Sequence, residues 1–373
     1  MSRPGILLVG DAGGAAWDEY LRGNPDSSAY HLFGWRDVVR RTYGHATYYL
    51  ACQDGGAAAD AGGCGDRKPA AISGILPLVH MKHPIFGNSL VSMPFLDGPG
   101  LLADSCDVQN ELIGAAMRLG RELGATTVEL RQEGPSACLG GMGAGTADPQ
   151  AATEVRNAKV RMLLALPASG KLLMAGFKSK LRSQIAKPIK EGLVVRSGGA
   201  ELLDDFYQVF LVNMRDLGSP VHSIELMRNV LAVFPDRSRV FVAYKAEEPV
   251  AASVVVGFNG VLRNPWASSL RKHSGLSPNM LLYLRMLEYA CDQGYGTFDF
   301  GRSTPGEGTY RFKEQWGAQP APLHWRRFHL DGRRSTPEAG ARERFSKAAT
   351  VWQKLPLSVT RFLGPRIRKH ISL

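Results

Sequence analysis

The chain has 373 residues, 45 Lys/Arg against 34 Asp/Glu, and a formal net charge of +11, with 44% hydrophobic and 21% charged residues. One hydrophobic core seldom organises that length, so two domains are expected, in a composition ordinary for a globular cytosolic enzyme. No stretch is long enough to span a bilayer, and the apolar run Ile6 to Val9 is too short for a secretory leader.

The excess charge has two addresses. Residues 171–196 hold seven Lys/Arg and one acid, and residues 331–373 hold ten Lys/Arg and three acids. Such local basic surfaces suit an anionic partner, namely a phosphorylated substrate, tRNA or a lipid surface, or are simply solvated faces. Cys52, Cys64, Cys106, Cys138 and Cys291 are widely spaced and never in a CxxC pattern, so neither a disulfide framework nor a zinc site is expected. His80 and His83 would face opposite sides of an extended run, so no metal site is assigned.

In chain order, Leu32, Trp35, Val38 and Val39 predict a helix over 29–43, with Gly44 at its C-terminal cap. Strands are expected at 48–52, 72–79 and 90–93, then a helix carrying Leu112, Ala115, Ala116 and Leu119, and a strand at 126–130. Residues 55–66 and 134–152 are Gly- and Ala-rich and read as surface loops.

After a strand at 160–166 the pattern begins again. A basic helix at 171–191 carries Phe177, Leu181, Ile185 and Ile189 on one stripe, interrupted near Pro188. Helices at 202–217 and 224–234 follow, then strands at 239–245, 250–258 and 261–269. A helix at 279–293 and strands at 297–300 and 322–330 close the second set. The order of elements repeats, although the residues do not.

The chemistry-bearing stretch is 271–325. Ser277 is expected as N-cap and Pro278 as first residue of the helix, preceded by Arg271, Lys272, His273 and Gly275 and followed by Asn279. Free N–H groups and the helix dipole there suit a phosphate or an oxyanion. In the strand at Thr297, alternation puts Phe298 and Phe300 on one face and Asp299 on the other, where Arg302 could be its ionic partner. Beyond a glycine-rich turn, Tyr310, Arg311, Phe312 and Lys313 alternate aromatic and basic. Read as extended chain, that places Arg311 and Lys313 together as cations for the negative oxygen of an acyl-transfer intermediate. Asp299 and Glu307 are the nearest acids for accepting a proton from an attacking amine, and substrate-assisted transfer is equally compatible.

Five segments taken together, AYHLFGWRDVVRRTYGH (29–45), NMRDLGSPV (213–221), LSPNMLLYLRMLEYACDQGY (276–295), FDFGRSTPGEGTYRFKEQWGA (298–318) and PLHW (322–325), resemble FemAB-type proteins of the GNAT superfamily. The branch they look most like is the one associated with exosortase/PEP-CTERM and exopolysaccharide gene clusters, with a BioF2-like acyltransferase domain. The resemblance implies an α/β fold of two tandem GNAT-like domains with mixed, largely antiparallel sheets flanked by helices. Their expected extents are 1–166 and 167–332, followed by a basic amphipathic tail, 333–373.

The resemblance also implies an acyl- or aminoacyl-transferase without a permanently bound cofactor. Acyl-CoA or aminoacyl-tRNA is the donor substrate, and an amine of a cell-envelope or exopolysaccharide precursor is the acceptor. By the family's Phe-Lys pair, Phe312 and Lys313 lie at the reaction centre with Tyr310 and Asp299. Arg311, Arg302, Ser303, Arg271, Lys272, Ser277 and Asn279 bind substrate or donor. The QxxGxG-type pyrophosphate loop of acetyl-CoA-binding relatives is absent, 273–279 occupying its place, and the coiled-coil arm of some Fem proteins has no counterpart. The expected location is cytoplasmic, with peripheral membrane contact through the tail, where apolar and basic residues interleave. A non-catalytic envelope-assembly adaptor and a nucleic-acid-binding protein are the alternative readings; no nucleic-acid-binding motif supports the latter.

Overall fold

The structure is a computed structural model that describes residues 5–53, 71–134, 152–156, 158–332 and 341–372. The loops expected at 55–66 and through most of 134–152 lie outside the described residues.

The first half comprises β1 (Gly5–Leu8), α1 (Gly14–Gly23), α2 (Trp35–Tyr43), β2 (Ala46–Gln53), β3 (Ile72–His83), β4 (Gly87–Val91), β5 (Leu102–Ala103), α3 (Cys106–Glu122), β6 (Thr127–Gln132) and β7 (Ala152–Arg156). The second half begins with β8 (Val160–Ala165), α4 (Gly170–Gly176), α5 (Ser179–Lys190), β9 (Leu193–Gly198), α6 (Leu203–Asp216), α7 (Ile224–Val233) and β10 (Ser238–Lys245). It continues through β11 (Glu248–Phe258), β12 (Val261–Ser269), α8 (Pro278–Asp292), β13 (Thr297–Ser303), α9 (Gly308–Glu314), β14 (Gln319–Pro322) and β15 (His324–His329). Two tail helices follow, α10 (Ala341–Gln353) and α11 (Leu357–Arg368).

These strands form two mixed sheets. One runs β1-β2-β3-β4-β6-β15-β7 with β5 beside β3, and the other runs β14-β8-β13-β12-β11-β10-β9. Pairing is antiparallel except for β4 with β6 and β12 with β13. The α/β fold of two GNAT-like units with flanking helices is therefore present. The sheets exchange their ends across the expected boundaries: β8, which precedes residue 167, lies in the second sheet, and β15 lies in the first.

Between the sheets runs a shared core. Trp17, Trp35 and Tyr49 of the first half pack with Phe206, Phe234 and Trp266 of the second. Burying that continuous apolar surface, at roughly 25 cal/mol per Å², ties the halves into one body. A second core lies under α8, where Leu282, Leu287, Phe298 and Phe300 are buried.

Several local expectations change for stated reasons. The helix over 29–43 begins only at Trp35, because Leu32 turns extended after a short 3-10 turn, while Gly44 caps it in the left-handed region as expected (φ +72°). The basic helix divides at Phe177, whose extended backbone (ψ 142°) ends α4, and Pro188 sits inside the last turn of α5. Ile189 is exposed, so the expected stripe ends at Ile185. Cys106 at the start of α3 is disulfide-bonded, which corrects the expectation of no disulfide; wide spacing in sequence does not fix distance in the fold.

Candidate active site

β12 and β13 run parallel but pair only where Val261, Leu262 and Arg263 oppose Thr297, Phe298 and Asp299. Past that point they part. Pro265 in β12 has no N–H to give a neighbour, and β13 carries a bulge between Asp299 and Arg302 against β8. Gly301 lies in the bulge at φ +76°, a conformation that glycine adopts without steric cost. The gap between the strands opens into a cavity of about 320 Å³ whose wall includes Asn264, Trp266, Gly301, Arg302 and Lys313. Leu96 and Asp97 of the first half, Asn213 of α6, Tyr283 of α8 and Arg368 of the tail complete much of the rest.

The bulge is fixed from three sides. The Gly301 N–H donates to Asp299 Oδ1 at 2.8 Å, and the Arg302 N–H donates to Asp97 Oδ2 at 3.2 Å. Lys313 Nζ donates to the carbonyls of Gly301 (3.0 Å) and Arg302 (2.9 Å). Lys313 is buried, and among the described residues no carboxylate pairs with it. Burial lowers its pKa to about 8, against the opposing pull of Asp299 and Asp97. At neutral pH the ammonium still carries its proton. Two carbonyls occupy two of its three N–H donors, so one remains for a ligand in the cavity.

Asp299 is held differently from expectation. Its Oδ2 accepts from Arg263 Nη1 (2.9 Å) and Arg161 Nη1 (3.2 Å), not from Arg302. Both guanidinium groups also bond Glu133, Arg263 through two parallel contacts of 3.0 and 2.9 Å. Although burial pushes the Glu133 carboxyl up, the two arginines outweigh it and hold the pKa at about 2. Two acids and two bases thus cancel, Asp299 and Arg263 buried and Glu133 and Arg161 partly so, which such a site requires. With both oxygens engaged, Asp299 orients the bulge and is poorly placed to accept a proton.

Arg302 points the other way because Asp97 faces the bulge from the first half: its Nε lies 3.3 Å from Asp97 Oδ1. Its guanidinium stacks over Trp325 at 5.3 Å, and Arg131 stacks on the same indole at 4.6 Å. Trp325 Nε1 donates to the Asp97 carbonyl at 3.1 Å. The Trp of the PLHW segment therefore braces the site from the first sheet.

The segment expected as an extended strand is α9. Its buried residue is Lys313, and Trp316 is buried in the turn just beyond, with Phe312 packed edge-on to Tyr283 (5.1 Å) and near Trp316 (6.3 Å). That is helical spacing, three and four residues apart. Arg311 is consequently exposed and does not accompany Lys313.

Of the expected site residues, Lys313 and Arg302 line the cavity. Asp299 and Phe312 stand behind it as supports, while Tyr310 is half-buried against the second core. Ser303 is buried with its Oγ unbonded and does not line the cavity. Arg271, Lys272, Ser277 and Asn279 also lie outside the cavity wall. Lys272 and His273 are both engaged by Glu248, and Asn279 Nδ2 donates to Ser269 Oγ at 3.0 Å. Ser277 stands at the N-cap ahead of Pro278 as expected, but it is left-handed (φ 54°), closes the 3-10 turn before it, and its side chain makes no capping hydrogen bond.

Asp97, Asn213, Asn264, Tyr283 and Arg368 were not singled out from sequence, although Asn213 and Tyr283 fall within the family-like segments. Asn213 Nδ2 donates to Ser268 Oγ at 3.0 Å and Asn264 Oδ1 accepts from Ser253 at 2.7 Å, so both amides are anchored in the cavity wall.

Comparison with known proteins gives this geometry a family. The acetyltransferase (GNAT) domain family matches residues 176–314, which include the splayed strands, α8 and Lys313. The crystal structure of FemX superposes with a TM-score of 0.61 at 13% identity, covering 86% of this chain and 96% of that one. This chain carries a GNAT-type acetyltransferase domain over residues 176–314 and shares its fold with FemX. A tandem GNAT protein from the clavulanic acid biosynthesis pathway shares the fold at a TM-score of 0.54 and 13% identity, covering 89% of this chain and all of that one. The UDP-N-acetylmuramoylpentapeptide-lysine N(6)-alanyltransferase of Weissella viridescens is 24% identical over 127 residues, 34% of this chain and 38% of that enzyme.

Proposed function

We propose that this protein is FemAB-like and transfers an acyl or aminoacyl group to an amine of a cell-envelope precursor, of peptidoglycan or exopolysaccharide type. The observation that carries the reading is Lys313: a buried, protonated ammonium without a carboxylate partner among the described residues, with one donor left for the cavity. When an amine attacks an acyl carbon, the carbonyl oxygen gains negative charge, and a fixed cation in a water-poor site lowers that barrier. The attacking amine must arrive neutral. Among the described residues Asp97 is the one carboxylate on the cavity wall, and Arg302 holds it, which favours a proton transfer assisted by the substrate.

The GNAT domain favours an acyl-CoA thioester as donor, and the alanyltransferase relative favours an amine-bearing precursor as acceptor. Aminoacyl-tRNA is the second donor to test. The outward face of α11, with Phe362 and Leu363 exposed beside Arg361, supports peripheral contact with an anionic membrane; among the described residues no helix is long and apolar enough to cross one. The test of the reading is turnover of labelled acyl-CoA and aminoacyl-tRNA with amine-bearing precursors. Transfer from either donor is expected, and no transfer from any donor to any amine would overturn it.

A further inference from the structure

The tail brings a second uncancelled cation to the same cavity. Helix α11 is docked, with Thr360 and Gly364 buried. A Cβ at Gly364 would come within 2.9–3.0 Å of Val221, which shows how closely the helix approaches. Beyond it, the Lys369 carbonyl accepts from His45 Nε2 at 2.7 Å and the Ser372 carbonyl accepts from the Phe95 N–H at 2.7 Å. Arg368, at the last turn, is therefore held in place.

Its guanidinium is oriented through a chain of three groups. Nε donates to His222 Nε2 at 3.1 Å, and Nη1 donates to the Ile371 carbonyl at 3.3 Å. Because an arginine only donates, His222 Nε2 is the acceptor and its Nδ1 carries the proton toward the Tyr43 hydroxyl, 2.6 Å away. Burial pushes the His222 pKa well down, so the ring stays neutral. Burial also lowers Arg368, to about 10, with Tyr43 opposing and Arg131 and Arg302 adding to the fall, so it remains a cation at neutral pH.

Its neighbours have their own carboxylates: Arg302 pairs with Asp97, and Arg131 shares Glu129 with Arg327. Among the described residues Arg368 has no carboxylate partner. The wall it shares with Lys313 also presents the buried Asn264 Nδ2, which lies by the Tyr283 hydroxyl without a hydrogen bond of ordinary geometry. Donors exceed acceptors here, and unmatched buried donors cost stability unless a ligand satisfies them.

We propose that Arg368 binds an anionic group, a carboxylate or a phosphate, of the substrate that occupies this cavity, which makes the C-terminal helix part of the substrate site. The inference rests on the transferase reading, but its test does not need turnover. Inorganic phosphate and acetate, titrated separately into the full-length chain by calorimetry, distinguish the two chemistries. Saturable binding of at least one anion is expected, weakened about tenfold or more in Arg368→Gln, the scale of one lost charge-assisted contact. Arg368→Lys should recover part of that loss, and Arg366→Gln, an exposed neighbour on the same helix, should bind as wild type does.

Binding of neither anion, or equal affinity in folded Arg368→Gln, overturns the proposal. Where transfer is measurable, Arg368→Gln should raise the substrate KM at least tenfold with a smaller change in kcat; an unchanged KM overturns it as well. Anion binding that depends on Arg368 in a protein that transfers nothing would sink the transferase reading and leave this one standing.

Discussion

Lys313 Nζ and the Gly301 carbonyl, 3.0 Å apart, join α9 to the bulge of β13. The acceptors that hold the ammonium are backbone carbonyls, which carry no full charge, so its charge persists. The contrast with Arg263 is direct, since that guanidinium has two carboxylates, Glu133 and Asp299, against it. One buried network is built to be neutral and the other group is built to stay positive.

Gly301→Ala tests whether the bulge sets that geometry. A side chain at φ +76° costs roughly 1–2 kcal/mol, and its Cβ would lie 3.1 Å from the Asn264 carbonyl oxygen. A lower thermal midpoint and weaker turnover are expected together. Wild-type values for both would show that the bulge conformation does not matter.

Lys313→Met separates function from stability. The folded pKa of about 8 lies below the ordinary 10.5, so between those values the unfolded chain binds the extra proton. Wild-type stability relative to the variant should therefore rise as pH increases from about 8 toward 10.5, and the disadvantage of the buried cation is greatest below 8. Chemical denaturation of both proteins at pH 7 and pH 10 reads this. A stability difference that is flat or moves the opposite way contradicts a buried, pKa-depressed lysine.

Glu133→Gln should destabilise by about 3 kcal/mol, because it leaves the buried Arg263 and the partly buried Arg161 with one carboxylate. The depressed carboxyl adds a pH signature. Its contribution is fully present above about 4.5 and is lost as pH falls toward about 2. The variant should lose this part of the acid response in urea titrations at pH 6 and pH 3. A cost below 1 kcal/mol at pH 6 would mean that the network is not cancelled as described.

Much of the fold was legible because burial writes periodicity into sequence. The strands at 239–245, 250–258 and 261–269 and the helix beginning at Pro278 follow from runs and stripes that a sheet and a helix must bury. The site was legible only where one residue combined charge with an apolar context, as at Lys313 and Asp299. Their partners were not, because Arg263 meets Glu133 across 130 positions and Arg161 meets Asp299 across 138, through strand pairing that no local pattern encodes. The alternation from Tyr310 to Lys313 misled because four residues fit either period, and it is Trp316, a turn beyond, that reveals the helix. Arg368 read as one more basic residue of an amphipathic tail; only the docking of α11 turns it toward the cavity.

The central claim is that Lys313, as a cation, stabilises the negative oxygen of acyl transfer, and the pH–rate profile of wild type against Lys313→Ala tests it most directly. With the best donor and amine found, wild-type kcat should decline as pH rises through about 8, where the ammonium loses its proton. Lys313→Ala should remain folded, turn over about 10²–10³-fold more slowly at pH 7, and lack that decline. A variant as fast as wild type at pH 7, or a wild-type rate that climbs through pH 8 in step with deprotonation of Lys313, would contradict the account.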